Sequence, residues 1–379
     1  MQKEYIGFDS IYELSNVLKF YNANNILLVT GKNSFQKCGI SIVLLKLLSK
    51  INFKIVNDFS TNPKYSEIIK IADRIKGQDF DVILAVGGGS VIDFAKSLNV
   101  KLNNYDKFKS IVIGNENIEN DLLPFIAIPT TAGTGSEVTQ FSVIYVGDRK
   151  YSLSSPILKP SISIVDPKFT YNLSPFITAC SGLDAFCQAI ESYWSVKSTL
   201  ESKNFAEQSM IKIKDNLLKA IRDSDKKSRD EMMIASNLSG KAINITTTTA
   251  PHAISYPLTK LFNIPHGYAV ALTLGHFFLI NEVFDDMSLV QDIRGPKYIK
   301  NMMVSLRKIL GWNTPELAFK KWYNFIKKCG LSVNLTELGI KISDIEKINN
   351  GVNIDRLSNN PVAIKKSDIN KIFEKQLIN

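Results

Sequence analysis

No continuous apolar run in these 379 residues is long enough to cross a bilayer, so no membrane-spanning helix is expected. Cysteine is sparse: Cys38, Cys180, Cys187 and Cys329 form no CxxC pair and no zinc-finger spacing. That argues against a structural zinc module or a disulfide scaffold, and fits reduced thiols in a cytoplasmic protein. The opening MQKEYIGFDSIYELSNV has early acids and no apolar segment, and is not expected to act as a secretory signal. Lys and Arg outnumber Asp and Glu by 46 to 36, a net charge of +10, but the lysines are dispersed among acids. A nucleic-acid binder concentrates its basic residues on one face, so no nucleic-acid partner is expected. The excess suits a field that draws in anionic substrates and nucleotides.

Histidine is the scarcest informative residue. The chain has three, His252, His266 and His276, all within TTTTAPHAISYPLTKLFNIPHGYAVALTLGHFF, Thr246 to Phe278. Imidazole is the commonest metal ligand and the usual acid or base near neutral pH, so this window is the first place to look for chemistry. Pro251 suits the first turn of a helix, which puts His252 and Tyr256 one turn apart on one face. His266 follows Pro265, with Gly267 permitting a turn. His276 ends an apolar helical stretch and reads equally well as a core histidine.

The first half of the chain alternates short apolar runs with helical patterns. NILLVTG, FKIVNDF, DVILAVGGG, PFIAIPTTAGTGS and SISIVDP read as strands, while SIVLLKLLSK and YSEIIKIADRIKG read as helices. Such alternation predicts a mostly parallel sheet covered on both faces. From Phe176 onward the patterns are helical, with helices expected over Gly182–Ser195, Leu200–Ile221, Asp230–Ile243 and Pro315–Lys328. The expected architecture is an α/β domain over residues 1–174 and an all-α domain over 175–379, with a cleft between.

Two glycine-rich segments follow predicted strands. Gly87, Gly88, Gly89 and Ser90 lead from VILAV into a helix whose first N–H groups suit phosphate oxygens, although this is not the spaced G-x-G-x-x-G fingerprint. IPTTAGTGSEVTQ offers small donors at Thr130, Thr131, Thr134 and Ser136. Either alone reads as a tight turn or a polar loop; together they point to a dinucleotide. In GLDAFCQAIESYWS, Asp184 and Gln188 are four apart and share a helix face.

In order and spacing, GGGSxxDxxK, PTTAGTGSE, GLDAxxxAIExYxS and HAxxxPLxxxxxxPHG resemble the iron-containing (group III) alcohol dehydrogenase family over nearly the whole chain. The resemblance implies the fold shared with dehydroquinate synthases: a dinucleotide-binding α/β domain, a helical domain, and an active site in the cleft. It implies hydride transfer between NAD(P)H and a carbonyl, helped by a divalent metal, Fe²⁺ or else Zn²⁺ or Mn²⁺. Carried over by position, the metal ligands are Asp184, His252 and His266. The family's fourth ligand is a histidine, and Gln188 stands in its place, offering only an amide oxygen. Three ligands still make an open catalytic site, while a metal-free route, as in maleylacetate reductases, stays open. Where the family often has histidine near the nicotinamide, this chain has Tyr256, a candidate proton or hydrogen-bond donor to the substrate oxygen, or a packed aromatic. His252 and His266 would share in that catalytic work.

The cofactor positions carried over are the two loops, Asp93 of the first motif, and Lys150. NAD-dependent members often close the first of these strands with an aspartate; here Gly31 and Lys32 follow it, which favours the 2′-phosphate of NADPH over NADH. RKYSLSSP, QAIESYWSV, GKAINITTTTAPHAISYPLT and IPHGYAVALTLG further resemble phosphonoacetaldehyde reductases of phosphonate pathways, which make 2-hydroxyethylphosphonate. That implies a small anionic aldehyde as substrate, with Thr246–Thr249, Lys241, Lys150 and Ser154 as candidate anion donors. The threonine run reads equally as helix capping. A homodimer and a cytoplasmic enzyme without membrane or nucleic-acid partners complete the expectation. A general short-chain or lactaldehyde-type reductase, a sugar-phosphate cyclase, and a degenerate nucleotide-binding relative are the alternatives.

Overall fold

The computed structural model describes residues 2–147 and 149–378, the side chains of Asp355 and Ile378 aside. It divides into two compact units, the first running to Leu173 and the second starting at Ser174. Among the described residues no helix is long and apolar enough to cross a membrane.

Among the described residues the first unit is built on eight strands: β1 (Lys3–Ile6), β2 (Asn25–Thr30), β3 (Asn52–Val56), β4 (Val82–Gly87), β5 (Phe125–Pro129), β6 (Phe141–Val146), β7 (Arg149–Ser154) and β8 (Ile162–Val165). Six form one parallel sheet in the order β1-β8-β5-β4-β2-β3. Its central strands β4 and β5 are buried along their whole length, which is why they read as unbroken apolar runs. Alternate residues feed two cores. Leu27, Val29, Ile83, Ala85 and Ala127 pack against the helices Tyr65–Arg74 and Gly89–Asn103 on one face. Ile26, Leu28, Val82, Leu84, Ile126 and Ile128 pack on the other.

Beyond β2 the chain goes outward to β3, then returns to β4 on the opposite side of β2. The sheet order therefore reverses between β2 and β4, and ligands of open parallel sheets bind at the carboxyl ends of strands at such a point. Gly31–Lys32, Gly87–Ser90 and Thr130–Ser136 leave those ends of β2, β4 and β5, three neighbouring strands.

Three strands escaped the sequence reading. β1 is short and carries Lys3 and Glu4 on the sheet edge, paired only with β8. β6 and β7 form a separate antiparallel hairpin, with Phe141 opposite Ser154.

The second unit is helical. Its helices include Pro175–Trp194, Leu200–Arg222, Lys226–Thr246, Ala250–Phe262, His266–Ile280, Pro296–Leu310 and Pro315–Lys328. Ser174, Thr199, Asp225 and Thr314 each accept a first-turn N–H as N-caps, so the sequence punctuates these starts with side-chain oxygens. Pro175–Trp194 is buried nearly throughout, explaining its lack of a charged, solvent-facing side.

Candidate active site

Three buried helices bring the site together. Asp184 comes from the middle of Pro175–Trp194, His252 from the first turn of Ala250–Phe262, and His266 opens His266–Ile280. Their ligating atoms lie within 4.8 Å of one another. The Nε2 of His252 is 3.5 Å from Asp184 Oδ1, and the two imidazoles meet edge to face with centroids 5.3 Å apart.

The close approach depends on Gly267. It does not make a turn, as the sequence suggests, but lies in the first turn of the His266 helix. A Cβ there would fall 2.3 Å from the Cys180 carbonyl oxygen and 2.5 Å from Asp184 Cβ. Glycine is what lets this helix seat His266 beside Asp184. The break before it is equally built in: Asn263 ends the preceding helix in the left-handed region and Pro265 caps the next.

Each imidazole is oriented by a second partner. His252 Nδ1 meets Glu191 Oε1 in a very short hydrogen bond. The other oxygen of Glu191 accepts from Thr249 N (2.6 Å) and Thr249 Oγ1 (2.8 Å), and Trp194 Nε1 donates to Thr249 Oγ1 at 2.9 Å. Glu191, 0 % exposed, is thus an acceptor throughout, so His252 carries its proton on Nδ1 and presents Nε2 to the cluster. Ser255 Oγ donates to the His252 carbonyl at 2.7 Å and lies 3.3 Å from His266 Nδ1. Burial alone would push the His252 pKa down, but Glu191 and Asp184 outweigh it and raise it to about 9.

This donor set fits a divalent cation. Two imidazole nitrogens and a carboxylate oxygen converge, and a carboxylate–histidine pair stands behind one of them. Gln188, one turn from Asp184, is 4 % exposed, and its Oε1 accepts from Ser239 Oγ at 3.2 Å. The amide oxygen is therefore shared with a hydroxyl.

Tyr256 stacks on His266, with centroids 5.8 Å apart and planes 17° off parallel. Arg356 NH1 donates to its hydroxyl at 3.0 Å, and Thr248 also bonds to it. Burial pushes the Tyr256 pKa up, only partly offset by Arg356, so the phenol keeps its proton at neutral pH. His276 does not join the cluster. It is buried against Phe319 and Tyr323, and burial lowers it to about 4, a neutral core side chain.

The threonine run divides. Thr246 and Thr249 are wholly buried, Thr246 Oγ1 lying 2.9 Å from Ser192 Oγ. Thr247 and Thr248 are half-buried, and Thr247 sits at φ 58°, ψ 177°. A β-branched residue held there costs about 1–3 kcal/mol, strain of a kind that gathers at functional sites. Lys241, a candidate anion donor, lies over the Phe205 ring at 5.9 Å.

In the first unit the two glycine-rich loops touch. A Cβ on Gly89 would meet Thr134 Cγ2 at 2.6 Å, so only glycine allows the contact. Asp93 and Ser136, both expected to face the cofactor, bond to each other, and Asp93 Oδ2 accepts from Val143 N at 3.0 Å. Lys96, 1 % exposed, donates to the carbonyls of Ser136 (2.7 Å), Thr139 (2.7 Å) and Phe141 (2.8 Å). Asp93 and Lys96 thus tie the second loop to the helix that follows the first. Lys32 is exposed just past β2, and Lys150 lies in β7 with Ser154 at its end.

Sequence reasoning missed Glu191 and Arg356. Glu191 follows Asp184 and Gln188 at i+7, a polar stripe along one face of an apolar helix, and that stripe was readable. Arg356 lies in the turn sequence IDRLSNN, which carries no motif, and only folding brings it to Tyr256.

Comparison with known proteins agrees with this layout. Residues 2–167 match the family described as iron-containing alcohol dehydrogenase. Residues 178–377 match the C-terminal part of the Fe-containing alcohol dehydrogenase family. The chain is similar to alcohol dehydrogenase 4 of Saccharomyces cerevisiae, 27% identical over 378 residues, covering 98% of this chain and 96% of the relative. It is 32% identical over 289 residues to the phosphonoacetaldehyde reductase of Streptomyces viridochromogenes, covering 73% and 72%. The crystal structure of sulfoacetaldehyde reductase from Bifidobacterium kashiwanohense in complex with NAD⁺ superposes with a TM-score of 0.88 at 27% identity, covering 99% of this chain and 97% of that one. With its α/β unit, its helical unit and a candidate metal triad on the latter, the chain belongs to the iron-containing alcohol dehydrogenase family, as an NAD(P)-dependent oxidoreductase for a small carbonyl substrate.

Proposed function

We propose that this enzyme reduces phosphonoacetaldehyde to 2-hydroxyethylphosphonate, with NADPH as hydride donor. The observation that carries the reading is the convergence of Asp184, His252 and His266, with the protonated Tyr256 phenol stacked on it. Support for the substrate comes from two relatives named for two-carbon aldehydes bearing a tetrahedral anion, phosphonoacetaldehyde and sulfoacetaldehyde. The net charge of +10 suits such a substrate. Lys32 beyond β2 supports NADPH, since a cation there matches a 2′-phosphate and no carboxylate competes.

Hydride passes from the dihydronicotinamide to the carbonyl carbon, a proton reaches the oxygen, and NADP⁺ and the alcohol result. Asp184, His252 and His266 would hold a divalent metal, Fe²⁺ by the family's name, which supplies Lewis-acid polarisation of the carbonyl when bound. Glu191 keeps His252 in the tautomer that serves this cluster. Tyr256 supplies a hydrogen bond to the oxygen on which charge develops. Gly31, Gly87–Ser90 and Thr130–Ser136 hold the nucleotide at the switch point of the sheet, with Lys150 as a further candidate contact.

Initial rates of NADPH oxidation by the Fe²⁺-loaded enzyme under anaerobic conditions test the reading, with phosphonoacetaldehyde against propanal and lactaldehyde. A kcat/KM at least tenfold higher for the phosphonate, about 1.4 kcal/mol of transition-state preference, is expected. Equal efficiencies would favour a general short-chain aldehyde reductase.

A further inference from the structure

Arg356 has no assigned task in the reaction. It stands in the short helical turn Ile354–Asn359, which is fastened to the strained end of the threonine run. Asn359 Nδ2 donates to the carbonyls of Thr246 and Thr248 at 2.9 Å and to Thr247 Oγ1 at 3.0 Å. Ser195 Oγ donates to Asn359 Oδ1 at 2.9 Å. The turn is therefore a fixed support, not a loose loop, and it holds a half-buried guanidinium on the Tyr256 hydroxyl. Among the described residues no carboxylate forms an ion pair with Arg356; its hydrogen-bond partner is that phenol. Holding a cation partly out of water beside the candidate ligand cluster, with no acid paired to it among the described residues, is unfavourable unless an anion arrives.

We propose that Arg356 reads the tetrahedral oxyanion of the substrate, with Thr247 as a neighbouring hydroxyl donor. Geometry supports this choice over the lysines. In a two-carbon aldehyde the anionic group is one carbon from the carbonyl, so its partner must be an immediate neighbour of whatever meets the carbonyl oxygen. Arg356 is one hydrogen bond from Tyr256, which stacks on the ligand His266. NH1 holds the phenol, and the planar fork keeps its other edge for two phosphonate or sulfonate oxygens, which an ammonium cannot match. One side chain would thereby orient the proton-donating phenol and the substrate's charged end together. This inference rests on the reductase reading but not on phosphonoacetaldehyde being the preferred substrate.

The test uses the full-length, metal-loaded enzyme with NADPH and a non-reducible probe, ethylphosphonate, competing against propanal. The wild-type enzyme should be inhibited competitively. In Arg356→Gln the inhibition constant should rise at least tenfold, and the kcat/KM ratio of phosphonoacetaldehyde to propanal should fall at least tenfold. Arg356→Lys, which keeps the charge and guards against misfolding of the glutamine variant, should fall between the two. Absence of inhibition in the wild type, or an unchanged constant in both variants, overturns the assignment. A raised KM for NADPH with the constant unchanged also overturns it and moves the anion to the nucleotide phosphates. If the wild type prefers propanal yet ethylphosphonate inhibition depends on Arg356, the anion site stands and only the substrate reading fails.

Discussion

Glu191 accepts the Nδ1 proton of His252, and through that one bond decides which imidazole nitrogen faces Asp184. Glu191→Gln keeps the volume but removes the charge, and turns an NH₂ toward donors on either His252 or Thr249. Second partners of metal-bound histidines typically contribute 10- to 100-fold in affinity. We expect a loss of about that size in Fe²⁺ or Zn²⁺ binding, measured by chelator competition. Affinity within a factor of two of wild type would remove Glu191 from the site's machinery.

Metal binding should depend on pH in a defined direction. In the metal-free protein the His252 pKa is raised from 6.5 to about 9, burial being outweighed by Glu191 and Asp184. Because the folded value lies above the unfolded one, its contribution to stability is full below pH 6.5 and is lost as pH rises through about 9. A metal at Nε2 displaces that proton. Affinity should climb with pH to about 9 and then flatten, with about one proton released per ion at neutral pH. Calorimetry in buffers of different ionisation enthalpy reads the proton count; zero protons released would contradict the placement.

Gln188 lies one helical turn from Asp184 and offers only an amide oxygen, which accepts from Ser239 Oγ. Gln188→His should tighten Zn²⁺ or Fe²⁺ binding by about tenfold or more, since imidazole is the better ligand for these ions. Chelator competition checks this, with the Ser239→Ala background removing the competing hydroxyl. Unaltered affinity in both backgrounds would mean that position 188 does not face the ion.

Lys32 follows β2 where NAD-dependent relatives are expected to carry an acid. Lys32→Asp should lower the kcat/KM ratio of NADPH to NADH by about two orders of magnitude, roughly 2.7 kcal/mol, mostly through KM for NADPH. A ratio that does not move would place the 2′-phosphate elsewhere.

Much of this was legible before folding, for reasons that differ by element. β4 and β5 were plain because fully buried parallel strands are unbroken apolar runs. His252 and Tyr256 were placed correctly because Pro251 marks a first helical turn and spacing does the rest. β1 was hidden, since Lys3 and Glu4 give an edge strand no apolar signature, and its partner β8 lies far along the chain. Gly267 was misread as a turn because sequence cannot show that the Cys180 carbonyl lies against it. The contacts of Asp93 and Lys96 with Ser136 and the backbone from Ser136 to Val143 could not be read from the motif's spacing. Arg356 left no trace, because its meaning depends wholly on a contact across a hundred residues.

The pairing of β1 with β8 has a consequence for how the chain is made. Lys3 lies opposite Ile162 and Ile6 opposite Val165, so the first strand of this sheet to be synthesised waits for the last. Until β8 emerges, β1 has no neighbour, and β5 exposes a bare edge where β8 will sit. The nascent first unit must therefore be completed late, by a non-local closure that is slow compared with forming the β2–β4 centre. During that interval the open β5 edge, flanked by apolar Ile126 and Ile128, is the surface a chaperone would need to shield.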